Sequence, residues 1–157
     1  LAGASVDGIV RGLGTAQPLP HRLQPVGEGR GILWVNDSKA TNVAATKSAL
    51  ESLTRPVVLL LGGKDKGEDF RPLRSALGGV RAVVVFGAAG PRIAAELEGA
   101  ADLTLLDAAF PEVVRRALER AQEGDILLLS PACSSFDMFE NYEDRGRRFG
   151  ALARELA

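Results

Sequence analysis

Short apolar runs alternate with amphipathic stretches along most of the chain. Aliphatic and β-branched residues dominate Val57–Leu61, Val80–Phe86, Leu103–Leu105 and Ile126–Leu129. Between these runs, apolar positions recur at helical spacing over about residues 42–53, 70–77, 89–97 and 109–122. A last helical stretch, 143–156, puts Phe149, Leu152 and Leu156 on one face. Near-continuous apolar strands separated by helices predict a parallel sheet covered on both sides. Ahead of them, Leu23–Val26 and Ile32–Val35 read as the arms of a hairpin, with Gly27-Glu-Gly-Arg-Gly31 as its turn. The pattern therefore predicts one α/β domain of three layers, αβα, around a mostly parallel sheet of about six strands with an antiparallel edge from the hairpin. Nearer the start, Val6, Ile9, Val10 and Leu13 fit a short helix capped by Ser5, which Gly14-Thr-Ala-Gln-Pro-Leu-Pro20 breaks. Residues 1–20 read as that helix plus a linker, the tail of an upstream domain.

Composition narrows the function. The 157 residues carry 19 Lys+Arg against 20 Asp+Glu, a net charge of −1. That balance argues against a protein whose affinity rests on neutralising a phosphate backbone. Hydrophobic residues, at 46%, suffice for the core of an ordinary domain, and 18 Gly with 8 Pro stay below the level of low-complexity sequence. No apolar run approaches the ~18 residues of a membrane span. The single cysteine, Cys133, excludes an internal disulfide and a Cys-rich zinc site. No secretory leader pattern opens the chain, so a reducing cytoplasm is the expected location. Its start at Leu1 rather than Met leads to the expectation of a piece of a longer protein.

In open α/β sheets, ligands bind beyond the carboxyl ends of the strands, and three such loops are rich in polar groups. Asn36-Asp-Ser-Lys-Ala-Thr-Asn42 packs a carboxylate, a lysine and two hydroxyls into the entrance of a helix. One of Ser38, Thr41 and Asn42 is expected to cap that helix, and its unpaired N–H groups suit a carboxylate or phosphate. Gly62-Gly-Lys-Asp-Lys-Gly67 combines close backbone approach with two point charges. It is not a phosphate-binding P-loop, because Glu68 and Asp69 stand where Lys and Ser/Thr are required. Ser130-Pro-Ala-Cys-Ser-Ser-Phe-Asp137 adds three hydroxyls, with Phe136, Phe139 and Tyr142 as an aromatic wall. A Cys133–His21 nucleophilic dyad is set aside: the histidine lies in a remote hairpin and no third group orients it. Together the loops bring Lys39, Thr41, Lys66 and Ser135 to one rim, a pocket for a small dianion. Arg145, Arg147 and Arg148 read as a solvated helix face, and Glu112, Arg115, Arg116 and Glu119 as surface ion pairs.

The strings Leu19-Pro-His-Arg22, Asn36–Asn42 and Ser130–Asp137 resemble the C-terminal domain of the Mur ligase family, in particular its D-glutamate-adding members. Leu60-Leu-Gly-Gly63 with Lys66 and Asp69-Phe70, and Asn141-Tyr-Glu-Asp-Arg-Gly146, agree with the resemblance, which runs from about Leu19 onward. It implies a Rossmann-like domain, residues 21–157, following a central ATPase domain of which residues 1–20 are the remnant. It implies ATP-dependent amide formation in peptidoglycan synthesis: the UDP-MurNAc-L-alanine carboxylate attacks the γ-phosphate of ATP, and the D-glutamate amine then displaces phosphate from the acyl phosphate. Arg22 and Asp37 would contact the nucleotide, Asp37 at the ribose. Lys39 would be catalytic, near the transferring phosphate or incoming amino acid. Thr41, Lys66, Ser135, Phe136 and Tyr142 would hold D-glutamate, with Tyr142 where the family commonly has phenylalanine. ATP phosphates and Mg2+ would belong mostly to the central domain, so this chain alone would not turn over.

Two other readings fit the same loops. One is the equivalent domain of another Mur or folylpolyglutamate-type ligase. The other is a stand-alone module that binds a small acid.

Overall fold

The computed structural model describes residues 19–157, so the helix expected over residues 5–13 lies outside the described residues. In chain order the elements are β1 (Gln24–Gly29), β2 (Ile32–Asn36), α1 (Val43–Ser52), β3 (Val57–Gly62), a 3-10 segment (Arg71–Gly79), β4 (Val80–Phe86), α2 (Gly90–Glu96), β5 (Leu103–Leu106), α3 (Phe110–Arg120), β6 (Ile126–Leu129) and α4 (Tyr142–Leu156). They build one six-stranded sheet of order β1-β2-β6-β3-β4-β5. Only the β1–β2 pair is antiparallel. From β2 the chain passes to β3, works outward to β5, and returns through α3 to insert β6 between β2 and β3. That reversal places a topological switch point at the carboxyl ends of β2, β6 and β3.

Strand residues alternate between two cores, because successive side chains point to opposite faces. On one face Val57, Leu59 and Leu61 pack with Val43 and Leu50 of α1, Leu73 and Leu77 of the 3-10 segment, and Ile93 of α2. On the other, Val58 and Leu60 meet Phe110, Val113, Val114 and Ala117 of α3 and Phe149 and Leu152 of α4. All six residues of β3 are buried, which is why it is apolar without alternation. Each fully buried Val, Leu or Phe contributes about 1.5–3 kcal/mol of burial free energy.

The hairpin departs from expectation at its turn. Only Arg30 and Gly31 form it, with φ of +53° and +71°, the positive pair that a type I′ turn demands. Gly27 and Gly29 belong instead to β1. A Cβ on Gly29 would collide with the backbone of Ala157, and one on Gly27 would stand 3.4 Å from Ala153 Cβ. These glycines mark where α4 lies directly on the strand. No helix among the described residues is long and apolar enough to cross a membrane.

Candidate functional site

Because β2, β6 and β3 are adjacent and parallel, the segments leaving their carboxyl ends emerge side by side. After β2, Asn36 uses its whole amide to order the segment. Its Oδ1 accepts from the Ser38 amide at 3.1 Å, and its Nδ2 donates to the Gly146 carbonyl and to His21 Nδ1, each at 3.0 Å. Asp37 is 6% exposed. Its Oδ1 accepts from the Leu23 amide at 3.1 Å, and its Oδ2 accepts from Ser130 Oγ at 2.7 Å. Burial pushes the Asp37 carboxyl above the usual carboxylate range, and the Ser130, Leu23 and Arg22 interactions offset only part of that rise. Thr46 Oγ1, 3.1 Å from Ser130 Oγ, closes the network by donating to the Ser130 carbonyl.

The loops after β3 and β6 are joined by an antiparallel bridge. The Lys64 amide donates to the Ser134 carbonyl at 2.9 Å, and the Ser134 amide donates back to the Lys64 carbonyl at 3.1 Å. Gly62 and Gly63, at φ of +144° and +133°, permit this approach; a side chain on either would meet the Phe86 or Ser134 carbonyl. Arg145 of α4, wholly buried, reaches between the loops. Its Nε donates to Ser38 Oγ at 3.0 Å, its Nη2 to the Ser38 and Cys133 carbonyls at 2.9 and 3.1 Å, and its Nη1 to the Cys133 carbonyl at 3.1 Å. Ser38 Oγ in turn donates to the Tyr142 carbonyl at 2.8 Å.

Beside this junction a groove of about 520 Å³ runs between residues 22–23 and α1, lined by Arg22, Asp37, Lys39, Asn42, Ala45 and Ser48 among others. Lys39 is exposed; its Nζ donates to Tyr142 Oη at 3.3 Å and lies 5.3 Å from the centre of that ring. His21 meets the same ring edge-on at 6.0 Å. His21, Leu23 and Ala132 hold φ of +61°, +40° and +56°, a left-handed backbone at non-glycine residues in the segments that frame the site.

The predicted residues fall into two groups. Arg22, Asp37 and Lys39 line the groove. Thr41, Lys66 and Ser135 sit on three segments that are hydrogen-bonded to one another. Thr41 is half-buried, Lys66 is exposed with Nζ 4.0 Å from Glu68 Oε1, and Ser135 is buried. Phe136 projects outward, 67% exposed, and Tyr142 opens α4 against Lys39.

Two expectations need correction. Asn42 is the cap expected among Ser38, Thr41 and Asn42, accepting from the Ala45 amide at 2.8 Å, but the Val43 amide at the entrance of α1 is not left for a ligand, because Glu68 Oε2 accepts from it at 2.9 Å. Arg145 is no solvated face, because α4 turns it into the sheet's carboxyl edge while Arg147 and Arg148 remain outside. Glu68, Arg145, Ser130 and Thr46 escaped assignment to the site. Ser130 stood inside a recognised string, but Glu68 gives no local signal, because its partner lies 25 residues away. Cys133 is buried, and desolvation pushes its thiol up to about 12, which fits an inert packing residue. Among the described residues no group of three or more His, Cys, Asp or Glu is placed to hold a metal ion.

Comparison with known proteins gives this geometry a relationship. The family described as "Mur ligase, glutamate ligase domain" matches residues 21–133. UDP-N-acetylmuramoylalanine--D-glutamate ligase of Bordetella avium is 50% identical over 139 residues, 88% of this chain and 27% of that protein. The protein of the same name from Salinibacter ruber is 46% identical over 151 residues, 96% of this chain and 33% of that protein. The chain thus spans about a third of the length of the curated relatives it matches. Among solved structures, the UDP-N-acetylmuramate-alanine ligase of Thermotoga maritima superposes with a TM-score of 0.69 at 14% identity, covering 99% of this chain and 35% of that one. Folylpolyglutamate synthase/dihydrofolate synthase from Yersinia pestis gives a TM-score of 0.63 at 18% identity, covering 94% of this chain and 34% of that one; both likenesses establish the fold. With the match extending over most of its length, the chain belongs to the Mur ligase family, as a Mur ligase C-terminal domain.

Proposed function

We propose that this chain is the amino-acid-binding domain of an ATP-dependent ligase that joins D-glutamate to UDP-MurNAc-L-alanine in peptidoglycan synthesis, in the cytoplasm. The observation that carries the reading is the convergence of three loops at the switch point. Thr41, Lys66 and Ser135 stand on these three loops, beside a groove lined by Arg22, Asp37 and Lys39. The names of relatives at 43–50% identity support the choice of substrate. In this reading residues 1–20 are the remnant of a central ATPase domain and the linker, and residues 21–157 are the C-terminal domain.

Each half of the site has its own task. Asp37, held by Leu23 and Ser130, presents a fixed carboxylate to the ribose while Arg22 reaches the nucleotide from across the groove. A carboxylate oxygen has room for a second donor, so the internal hydrogen bonds do not block that contact. Lys66, Thr41 and Ser135, with Phe136 and Tyr142, hold the two carboxylates of D-glutamate and leave its amine free. Lys39, at the boundary and steered by Tyr142 Oη, lies where transferred phosphate and incoming amino acid meet. ATP activates the UDP-MurNAc-L-alanine carboxylate as an acyl phosphate, and its phosphates and Mg2+ are held chiefly by the central domain. The oriented amine then displaces phosphate. Fixing the amine in this way converts a bimolecular encounter into an intramolecular one, an advantage of up to about 7–11 kcal/mol in ideal geometry.

The test uses the full ligase carrying this domain, with phosphate release followed against D-glutamate, L-glutamate and ATP. D-Glutamate is expected to support turnover and L-glutamate not. Lys66→Ala is expected to raise the D-glutamate KM at least about tenfold, the loss of one charge-assisted contact, and to leave the ATP KM in place. Asp37→Ala is expected to do the reverse. Equal D-glutamate KM values for wild type and Lys66→Ala would remove Lys66 from the site, and turnover indifferent to D-glutamate would end the reading.

A further inference from the structure

Arg145 is a buried cation with an unusual set of partners. Its guanidinium has no carboxylate in hydrogen-bond reach; all its donors meet the Ser38 hydroxyl or the carbonyls of Ser38, Cys133 and Ser134. Desolvation pulls its proton affinity down, to a value of about 10. An apolar residue of similar volume would avoid that cost; what the arginine supplies in its place is a planar fork of five donors.

We infer that Arg145 is the positioning residue that locks the nucleotide half of the site to the amino-acid half. Its acceptors are the evidence. Ser38 lies between Asp37 and Lys39, the groove side; Cys133 and Ser134 immediately precede Ser135, the acid side. The third loop passes beside the same point, since a Cβ on Gly63 would stand 3.2 Å from Arg145 Nη1, and it is bridged through Lys64 to Ser134, whose carbonyl Arg145 also meets. Tyr142, one turn earlier on α4, receives the Ser38 hydroxyl on its carbonyl and faces Lys39 with its phenol. One side chain thus sets the spacing between the groups that would hold nucleotide and those that would hold the acid. Arg145 touches neither ligand. Displacing it by an ångström loosens both sites at once, whereas a residue serving one ligand affects one.

This inference rests on the proposed function, and the experiment separates the two. In the full ligase, Arg145→Lys keeps the charge and loses the fork, and Ser38→Ala removes a single hydroxyl from the same joint. Each is compared with Arg147→Ala, an exposed position on the same helix, and with the single-site variants Lys66→Ala and Asp37→Ala. Arg145→Lys and Ser38→Ala are expected to raise the KM for D-glutamate and for ATP together, by about tenfold and about threefold, as for one or two lost or misaligned hydrogen bonds. Arg147→Ala is expected to move neither. A folded variant with only one KM displaced, or neither, overturns the inference; should Arg145→Lys fail to fold, Ser38→Ala alone decides. A wild-type enzyme that ignores D-glutamate instead fails the proposed function.

Discussion

In the proposed function, Asp37 serves the nucleotide at the expense of the fold. Its carboxylate is almost wholly buried, and its proton affinity is raised by that burial. A carboxyl whose folded value lies above its unfolded value disfavours folding once ionised. The penalty is complete above the folded value and is relieved as pH falls through it toward the unfolded one near 3.9. Asp37→Asn can keep the Leu23 contact through its carbonyl. It can donate to Ser130 Oγ while that hydroxyl turns to Thr46. The expected result is a thermal midpoint at pH 7 equal to or above wild type, an advantage that shrinks toward pH 4, and a raised ATP KM in the full ligase. A midpoint well below wild type at pH 7 would show that the hydrogen bonds outweigh desolvation.

At the scale of elements, the strand ends are where backbone geometry does what side chains cannot. Gly62 closes β3 at a φ of +144°, and a Cβ there would collide with the Phe86 carbonyl of the neighbouring strand. Gly62→Ala is therefore expected to destabilise the domain by about 3 kcal/mol or more, read from chemical denaturation. Gly67, also at positive φ, has open space around it, so Gly67→Ala should cost only about 1–2 kcal/mol. The contrast separates steric collision from dihedral strain. The helices were more legible: α3 repeats Phe110, Val113, Val114 and Ala117 along one stripe, a pattern that survives any detail of packing. The turn of the hairpin was not legible. Gly27 and Gly29 read as turn residues locally, yet serve to let α4 approach β1.

For the whole molecule, the switch-point arrangement gathers the loops after β2, β3 and β6, and in the proposed function it supplies one part of a ligase. The segment Gly62–Asp69 lacks the residues of a P-loop, and in the proposed function the activated acyl group arrives from another domain upon closure. Purified residues 1–157, given ATP, UDP-MurNAc-L-alanine and D-glutamate, are therefore expected to release no phosphate above blank. Release at a rate comparable to the full ligase would refute the division of labour.

The sequence by itself determined the parallel strands, most of the helical faces and the loops that carry polar chemistry, because each leaves a local trace: a run of apolar residues, a period of 3.6, or a cluster of polar residues after an apolar run. Its motifs also carried the resemblance to the family. Only the tertiary structure decided which groups meet across the loops. Glu68 closes the entrance of α1 from 25 residues away, Ser130 holds Asp37 from 93 away, and Arg145 grips Ser38 from 107 away. Periodicity reports that a position is buried or exposed on average. It contains nothing about which distant donor will satisfy a buried acceptor, because that pairing is fixed by strand order, and strand order is a property of the assembled sheet.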